Sequence, residues 1–324
     1  MRLAVLFVLS LLGGVALAQS QPAGPLFMGY YASWNELPVA TPRLSKLAQL
    51  PPGIDVAAIA FVKPDLKFDG TSLDGTGLTL PPNWNAKLLA DSVAAFRQTH
   101  PKAKILLSVG GSVYNKSWSE FAARPLLKLV QALGVDGVDL DFEPANPGCG
   151  RAGATFTCAS EADWARIIRQ TRDILPRPAI IAAQGWSVGA YGVGAYAGDV
   201  PASPFTGSML WLARLPEAKE IDILAIMAYD AGPKFVPERA FDAYRAVWPG
   251  RLLLGVDVPE EDSVSPPFSV PRLKQLARQQ AGNGLGGIML WTATAELKAG
   301  PSLTRPDGEI AAGAICEGLG RDGC

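Results

Sequence analysis

The stretch Gly134-Val135-Asp136-Gly137-Val138-Asp139-Leu140-Asp141-Phe142-Glu143 sets four carboxylates within eight residues, from Asp136 to Glu143, in an otherwise apolar run. Side chains alternate faces along a strand, so Asp139, Asp141 and Glu143 share one face while Val138, Leu140 and Phe142 take the other. Neighbours in the acidic row stand about 7 Å apart at Cα. Three independent anions at that spacing repel one another in a poorly hydrated site, so a proton is shared or one pKa is raised. That suits an acid catalyst. The commonest fate of an acidic row is the solvated side of an edge strand; the wholly apolar opposite face and the leading Gly134 and Gly137 argue against it. A divalent cation could also draw carboxylate oxygens, but no supporting cluster of oxygen ligands accompanies the row. No metal and no cofactor is expected.

The composition limits the alternatives. The 324 residues are 48% hydrophobic with a net charge of −1, enough for one α/β barrel or two ordinary domains. A near-neutral chain lacks the electrostatic footprint of a nucleic-acid or anionic-membrane binder. The single histidine, His100, lies in His100-Pro101-Lys102 after a helical pattern. It reads as structural, which leaves Ser-His-Asp and Cys-His mechanisms without a base. Met1-Arg2, the apolar run from Leu3 to Leu12 and the small-residue end at Ala16-Leu17-Ala18 form a secretory signal over residues 1–18. The mature chain, 19–324, is expected to be secreted or periplasmic, monomeric and free of the membrane after cleavage. The apolar run is short for a membrane span, and no cysteine follows the cleavage site to carry a lipid. Four cysteines fit export: Cys149 and Cys158 bracket a loop after the acidic strand, and Cys316 and Cys324 sit near the C-terminus. Three pairings are open; locality favours Cys149–Cys158 and Cys316–Cys324. Zinc is the rival, with the wrong spacing and the wrong compartment.

The elements that position the acids alternate along the chain. Strand-like runs at 26–33, 55–62, 104–109, 134–143, 179–184, 221–229, 251–256 and 287–291 are each followed by a helical pattern. Those helices fall near 44–50, 83–99, 117–133, 161–175, 208–215, 237–248, 271–280 and 307–319. Eight βα units with near-continuous apolar strands indicate a single-domain (β/α)8 TIM barrel of the α/β class, not an open sheet. In that fold the strand ends converge at the C-terminal mouth. They carry Tyr30, Tyr31, Trp34, Phe61, Ser108, Gly110, Gly111, Asp141, Glu143, Gln184, Trp186, Met227, Tyr229, Asp230, Asp257 and Trp291. Acids beside several aromatic rings suit a sugar, whose C–H faces stack while its hydroxyls need hydrogen bonds. Any one of these rings taken singly reads as core packing.

Four segments together resemble glycoside hydrolase family 18, the chitinase family. Asp136, Asp139, Asp141 and Glu143 match its D-x-x-D-x-D-x-E signature, and Ser108-Val109-Gly110-Gly111 its S-x-G-G segment. Met227-Ala228-Tyr229-Asp230 resembles its M-x-Y-D, Trp291 its closing tryptophan, and Tyr30 its first-strand tyrosine. The resemblance implies Glu143 as general acid/base and Asp141 as the group orienting the substrate's N-acetyl arm, whose carbonyl oxygen attacks. It implies that Asp139 shares a proton with Asp141, that Ser108 bonds near Asp139, and that Tyr229 donates to the acetamido oxygen. Tyr30, Trp34, Phe61, Ser108, Gly110, Gln184, Met227, Asp230 and Trp291 are then the expected substrate-binding residues. Glu143, flanked by apolar neighbours, should have a raised pKa, and the anomeric configuration should be retained.

The resemblance also implies cis peptides at Ala60–Phe61 and Trp291–Thr292. Between the seventh and eighth strands no room remains for the α+β insertion domain of many relatives, which implies an open groove and endo cleavage. Ala231-Gly232-Pro233 lacks the aromatic that many relatives carry there. The substrate expected is an N-acetylglucosamine-containing oligo- or polysaccharide, chitin or its oligomers. The alternatives are an endo-β-N-acetylglucosaminidase on N-glycans, a peptidoglycan hydrolase, or a non-catalytic lectin-like barrel. Loops at 63–82 and 186–205 are expected to decide among substrates.

Overall fold

The computed structural model describes residues 24–258 and 267–324, so the expected signal segment lies outside the described residues. In chain order the strands are β1 Leu26–Ala32, β2 Val56–Val62, β3 Lys104–Gly110 and β4 Gly137–Asp141, then a short pair, β5 Cys149–Ala152 and β6 Thr155–Cys158. They continue as β7 Ile180–Trp186, β8 Ile223–Met227, β9 Arg251–Asp257 and β10 Gly287–Trp291. The helices are α1 Ala86–Thr99, α2 Ala123–Leu133, α3 Glu161–Ile174, α4 Pro237–Val247, α5 Val270–Ala281 and α6 Gly308–Gly318. Eight parallel strands close in the order β1-β10-β9-β8-β7-β4-β3-β2, the expected (β/α)8 barrel. Between β9 and β10 the described residues form α5 and its flanks, with no added α+β domain.

Strand alternation divides the core in two. Met28, Tyr30, Ala58, Leu106, Ala182, Ala225, Leu253 and Met289 fill the barrel interior. Val138, Leu140 and Phe142 point outward into the layer shared with Trp118, Trp164 and the helices. Phe142 meets Trp118 and Trp164 edge-on, with ring centroids 5.2 and 5.3 Å away. This outward face buries against helices, and the acidic face is thereby committed to the barrel interior.

Some boundaries differ from the sequence reading. The helix expected at 44–50 is a 3-10 turn, Pro42–Leu44, followed by turns. Ser45 Oγ donates to the Pro42 carbonyl and accepts from the Ala48 amide, giving the backbone a local alternative to a helix. The helix expected at 208–215 is likewise a 3-10 turn, Leu210–Ala213; Leu215 precedes Pro216 and is extended at ψ 135°, as proline requires of its predecessor. α2 begins at Ala123, later than 117, because Trp118–Glu120 forms a separate 3-10 turn. Gly134 belongs to the end of α2, where it adopts the left-handed conformation at φ 64°, so the acidic strand starts at Gly137. The hairpin β5–β6 was not anticipated.

Both disulfides join the neighbours that locality favoured, Cys149–Cys158 across the hairpin and Cys316–Cys324 at the C-terminus. The Ala60–Phe61 and Trp291–Thr292 peptides are cis, as is Arg177–Pro178. His100 stacks on Phe96 at 4.3 Å and lies 3.1 Å from the Pro51 carbonyl, so it packs a helix end. Among the described residues no helix is long and apolar enough to cross a membrane.

One glycine ties the fold to the site. Gly110 ends β3 at φ 112°, and a Cβ there would collide with the Asp141 carbonyl oxygen and the Trp118 ring. Gly110→Ala would face both a backbone conformation hostile to side chains and a clash with rigid atoms. We expect it to cost about 3 kcal/mol or more of stability, read as a lowered urea midpoint; a change under about 0.5 kcal/mol would contradict this reading of the β3–β4 approach.

Candidate active site

The acidic row is built as the alternation requires, and its members occupy three different settings. Asp139, fully buried, is the anchor. The hydroxyls of Tyr30 and Ser108 both donate to its Oδ2 at 2.7 Å, and the Gln184 amide donates to its Oδ1 at 2.7 Å. Register explains the meeting: Ser108 pairs with Asp139 across β3–β4, and Asp139 pairs with Ala182, two residues before Gln184 on β7. Burial raises the Asp139 pKa while its three donors pull it back. Asp141 is buried too, and its Oδ1 has no hydrogen-bond partner among the described residues. Burial first, then the charges of Glu143 and Asp139, push its pKa well above the usual carboxylate range. Of the inner pair, Asp141 is therefore the member whose neutral form burial and neighbouring charge favour more strongly, while donors support the charged form of Asp139.

Glu143 lies just past the strand end and is half-buried. Burial pushes its pKa up to about 7, and a hydrogen bond from the Ser112 backbone only partly opposes the rise. Asp136, which precedes the strand and lies off the alternation of the row, has another task at the opposite end of the barrel. It pairs with Arg97 at 2.7 Å and accepts the Ile105 amide at 2.9 Å.

Above the acids lies a pocket with about 190 Å³ of space open to water, lined by Tyr30, Phe61, Ser112, Asp141, Glu143, Gln184, Trp186, Ser187, Met227, Tyr229, Asp230 and Trp291. Trp291 stacks on Phe61 at 5.3 Å and meets Tyr30 edge-on at 5.1 Å, so one wall is a fixed aromatic surface. Tyr229 stays a neutral donor, its pKa raised by burial and then by Asp141, Asp257 and Glu143. Asp230 is the one non-glycine with positive φ among the described residues, at 52°, a conformation aspartate tolerates better than most residues.

Most of the residues singled out in the sequence thus meet in one place. Trp34 sits outside the pocket, 46% exposed, with its ring 5.9 Å from both Phe61 and Trp291. Ser108 and Gly110 are buried beneath the floor and closed off from a ligand, which corrects their expected place as substrate contacts. Ser108 donates to Asp139, as the resemblance implied, and Gly110 lets β3 approach β4. Trp186, Ser112, Ser187 and Asp257 carry no family motif, although Trp186 and Asp257 were visible as strand ends. Asp257 has its pKa pushed up to about 7 by burial and then by Asp230. Among the described residues no group of three or more His, Cys, Asp or Glu side chains could hold a metal ion.

The two carboxyls near 7 have a stability consequence. Each holds its proton more tightly folded than unfolded, so the stabilisation is fully present below the ordinary carboxylate range and is lost as pH rises through about 7. The thermal midpoint should therefore fall between pH 5 and pH 8, and Glu143→Gln should flatten part of that slope. A midpoint that rises over this range would contradict the raised values.

The acidic row and the aromatic wall thus meet at the C-terminal mouth of a closed parallel barrel, where enzymes of this fold carry their active sites. The profile of the family "Glycosyl hydrolases family 18" matches residues 26–234, and the chain belongs to that family. A chitinase of Plasmodium falciparum (isolate 3D7) is 30% identical over 128 residues, 37% of this chain and 32% of the relative, so the chain spans about a third of that relative's length. Among solved structures, a GH18 chitinase from Pseudoalteromonas aurantia superposes with TM-score 0.59 at 20% identity, over 90% of this chain and 99% of that one. A fungal endo-β-N-acetylglucosaminidase of the same family superposes with TM-score 0.61 at 16% identity, over 90% and 97%. At such identities the likeness is one of fold.

Proposed function

We propose that the chain is a retaining, endo-acting hydrolase of β-1,4-linked N-acetylglucosamine polymers, a chitinase-type enzyme in which the substrate's own acetamido group is the nucleophile. It works without metal or cofactor, as an exported monomer once residues 1–18 are removed. The observation that carries this reading is the pairing of Asp141 and Glu143. A buried carboxyl with an unpartnered oxygen sits one strand step from an acid titrating near 7, and both face a sugar-sized pocket.

The chemistry follows from those positions. Glu143, protonated below about pH 7, gives its proton to the glycosidic oxygen as the C1–O bond breaks. The acetamido carbonyl oxygen closes on C1 and leaves an oxazolinium ring. Asp141 accepts the ring N–H and, as its shared proton passes to Asp139, supplies the balancing negative charge. Tyr229 donates to the carbonyl oxygen and aims it at C1. Trp291 stacks beneath the sugar. Glu143, now a carboxylate, takes a proton from water, which opens the ring at C1 from the side that the leaving group vacated. Two inversions give net retention. Family 18 is among the exceptions to the two-carboxylate glycosidase scheme, in which one carboxylate itself attacks the sugar.

Since the first step needs protonated Glu143, kcat/KM should decline as pH rises through about 7; an alkaline limb centred near 5 would contradict the acid role. Product analysis on chitin oligomers beside a high-mannose glycoprotein tests the substrate. Release of short oligomers with the β anomer first supports the proposal. Cleavage confined to the glycoprotein's paired N-acetylglucosamine stem would move the substrate to N-glycans, and binding without turnover would make the barrel a lectin.

A further inference from the structure

β4 and β10 lie four strands apart either way around the closed barrel, so the acids and Trp291 face each other across the mouth. A linear chain lying between them must leave the pocket at the β1–β2 side and at the β7–β8 side. Rings stand at both exits. Trp34 and Phe61 occupy the first. At the second, Trp186 lines the pocket, and Phe205, which does not line it, stacks on Trp186 with centroids 3.6 Å apart and planes 17° from parallel.

Trp186 is held in place more firmly than loop packing alone would need. Its carbonyl accepts the Tyr244 hydroxyl at 2.6 Å and the Gly189 amide at 2.9 Å. The loop from Trp186 to Phe205 is backed in turn by Phe156 of the β5–β6 hairpin. A Cβ at Gly192 or Gly207 would collide with that ring, so the loop and Phe156 are in close contact. Arg214 fixes the hairpin by donating to the Phe156 carbonyl at 3.2 Å and to Glu161 at 2.6 Å. The Cys149–Cys158 bond closes the hairpin.

We infer that Trp186 is the stacking platform for the sugar unit leaving the pocket at the β7–β8 side, and that the disulfide-closed hairpin holds the platform in position. A half-buried indole covered on one side by a second ring has lost its freedom to rotate, so stacking a pyranose on its other side carries little further ordering cost. The ligand recognised is an uncharged saccharide ring with an apolar C–H face, continuous with the unit over Trp291. The inference rests on the glycosidase reading above and deepens it.

The test is cleavage of β-1,4 N-acetylglucosamine oligomers of three to six units, ¹⁸O-labelled at the reducing end so that mass spectrometry reads which bond is cut. Trp186→Ala should lower kcat/KM for the hexamer about tenfold, the loss of one stacking contact of about 1.4 kcal/mol, and flatten the gain with chain length. It should shift the cut toward one end of the hexamer, and Trp34→Ala should shift it toward the other. Trp186→Phe should restore most of the length dependence. The double variant Cys149→Ser/Cys158→Ser should shift the cut in the same direction as Trp186→Ala. An equal loss on all lengths with the cut unmoved, or wild-type behaviour of Trp186→Ala, would overturn the assignment while leaving the reaction intact. If the wild-type protein cleaves no oligomer at all, the glycosidase reading fails first and the platform with it.

Discussion

Glu143→Gln is expected to lower kcat by about 10³- to 10⁴-fold, the upper range for loss of a positioned general acid/base, while oligosaccharide affinity stays within about threefold. Glutamine keeps the length and an acceptor oxygen for the Ser112 backbone contact, so the pocket wall keeps its shape. It cannot release a proton at any accessible pH, so the glycosidic oxygen would leave as a bare alkoxide. The same variant lacks the base for the second step. Steady-state kinetics on an N-acetylglucosamine oligomer, whose leaving group is a sugar hydroxyl, and calorimetric titration of the variant with the same oligomer separate the two quantities. Turnover within tenfold of wild type would remove Glu143 from the reaction; lost binding with intact turnover per bound substrate would make it a substrate contact only.

Asp141→Asn should lower kcat by about 10²- to 10³-fold, comparable to removing one preorganised electrostatic partner of a developing charge. Asp141 is buried with one oxygen unpartnered and an acid on either side in the row. Asparagine fills the same space and can still accept a hydrogen bond, but it cannot hand a proton to Asp139 or carry a negative charge beside the oxazolinium. The variant separates this role from that of Glu143. Burial, the main cause of the raised Glu143 pKa, persists in Asp141→Asn, so the alkaline limb should remain near pH 7 while the whole profile drops. A limb that moves toward 5 with little loss of rate would mean that Asp141 acts only by raising the pKa of Glu143.

The inward-facing acidic row was legible in the sequence because alternation is a strong rule. Once Val138, Leu140 and Phe142 are committed to the helix layer, Asp139, Asp141 and Glu143 have one face left. The eight strands were legible for a related reason, since strands buried on both faces are nearly continuous apolar runs. What failed to show was decided by contacts between distant segments. The bond from Ser108 to Asp139 was expected from the resemblance, but its place beneath the pocket, away from substrate, follows from the β3–β4 register, which its own segment does not show. Asp136 stands three residues from Asp139, off the two-residue alternation of the row, and Arg97 and Lys104 claim it at the far end of the barrel. The β5–β6 hairpin escaped notice because Gly150 to Thr157 has little apolar alternation; its pairing begins at the disulfide-bonded Cys149 and Cys158. The short turns at 42–44 and 210–213 read as helices because helical propensity says little once serine or proline supplies a local alternative.

The substrate amide as nucleophile is tested most directly by kcat/KM for one aryl disaccharide series in which the acetyl group over Asp141 is replaced stepwise by mono-, di- and trifluoroacetyl. Each fluorine draws electron density from the carbonyl oxygen without reshaping the pocket contacts. The expected result is a steep, monotonic fall over several powers of ten. Rates that stay within about threefold across the series would mean that a protein carboxylate or water attacks C1, contradicting the roles given to Asp141 and Tyr229.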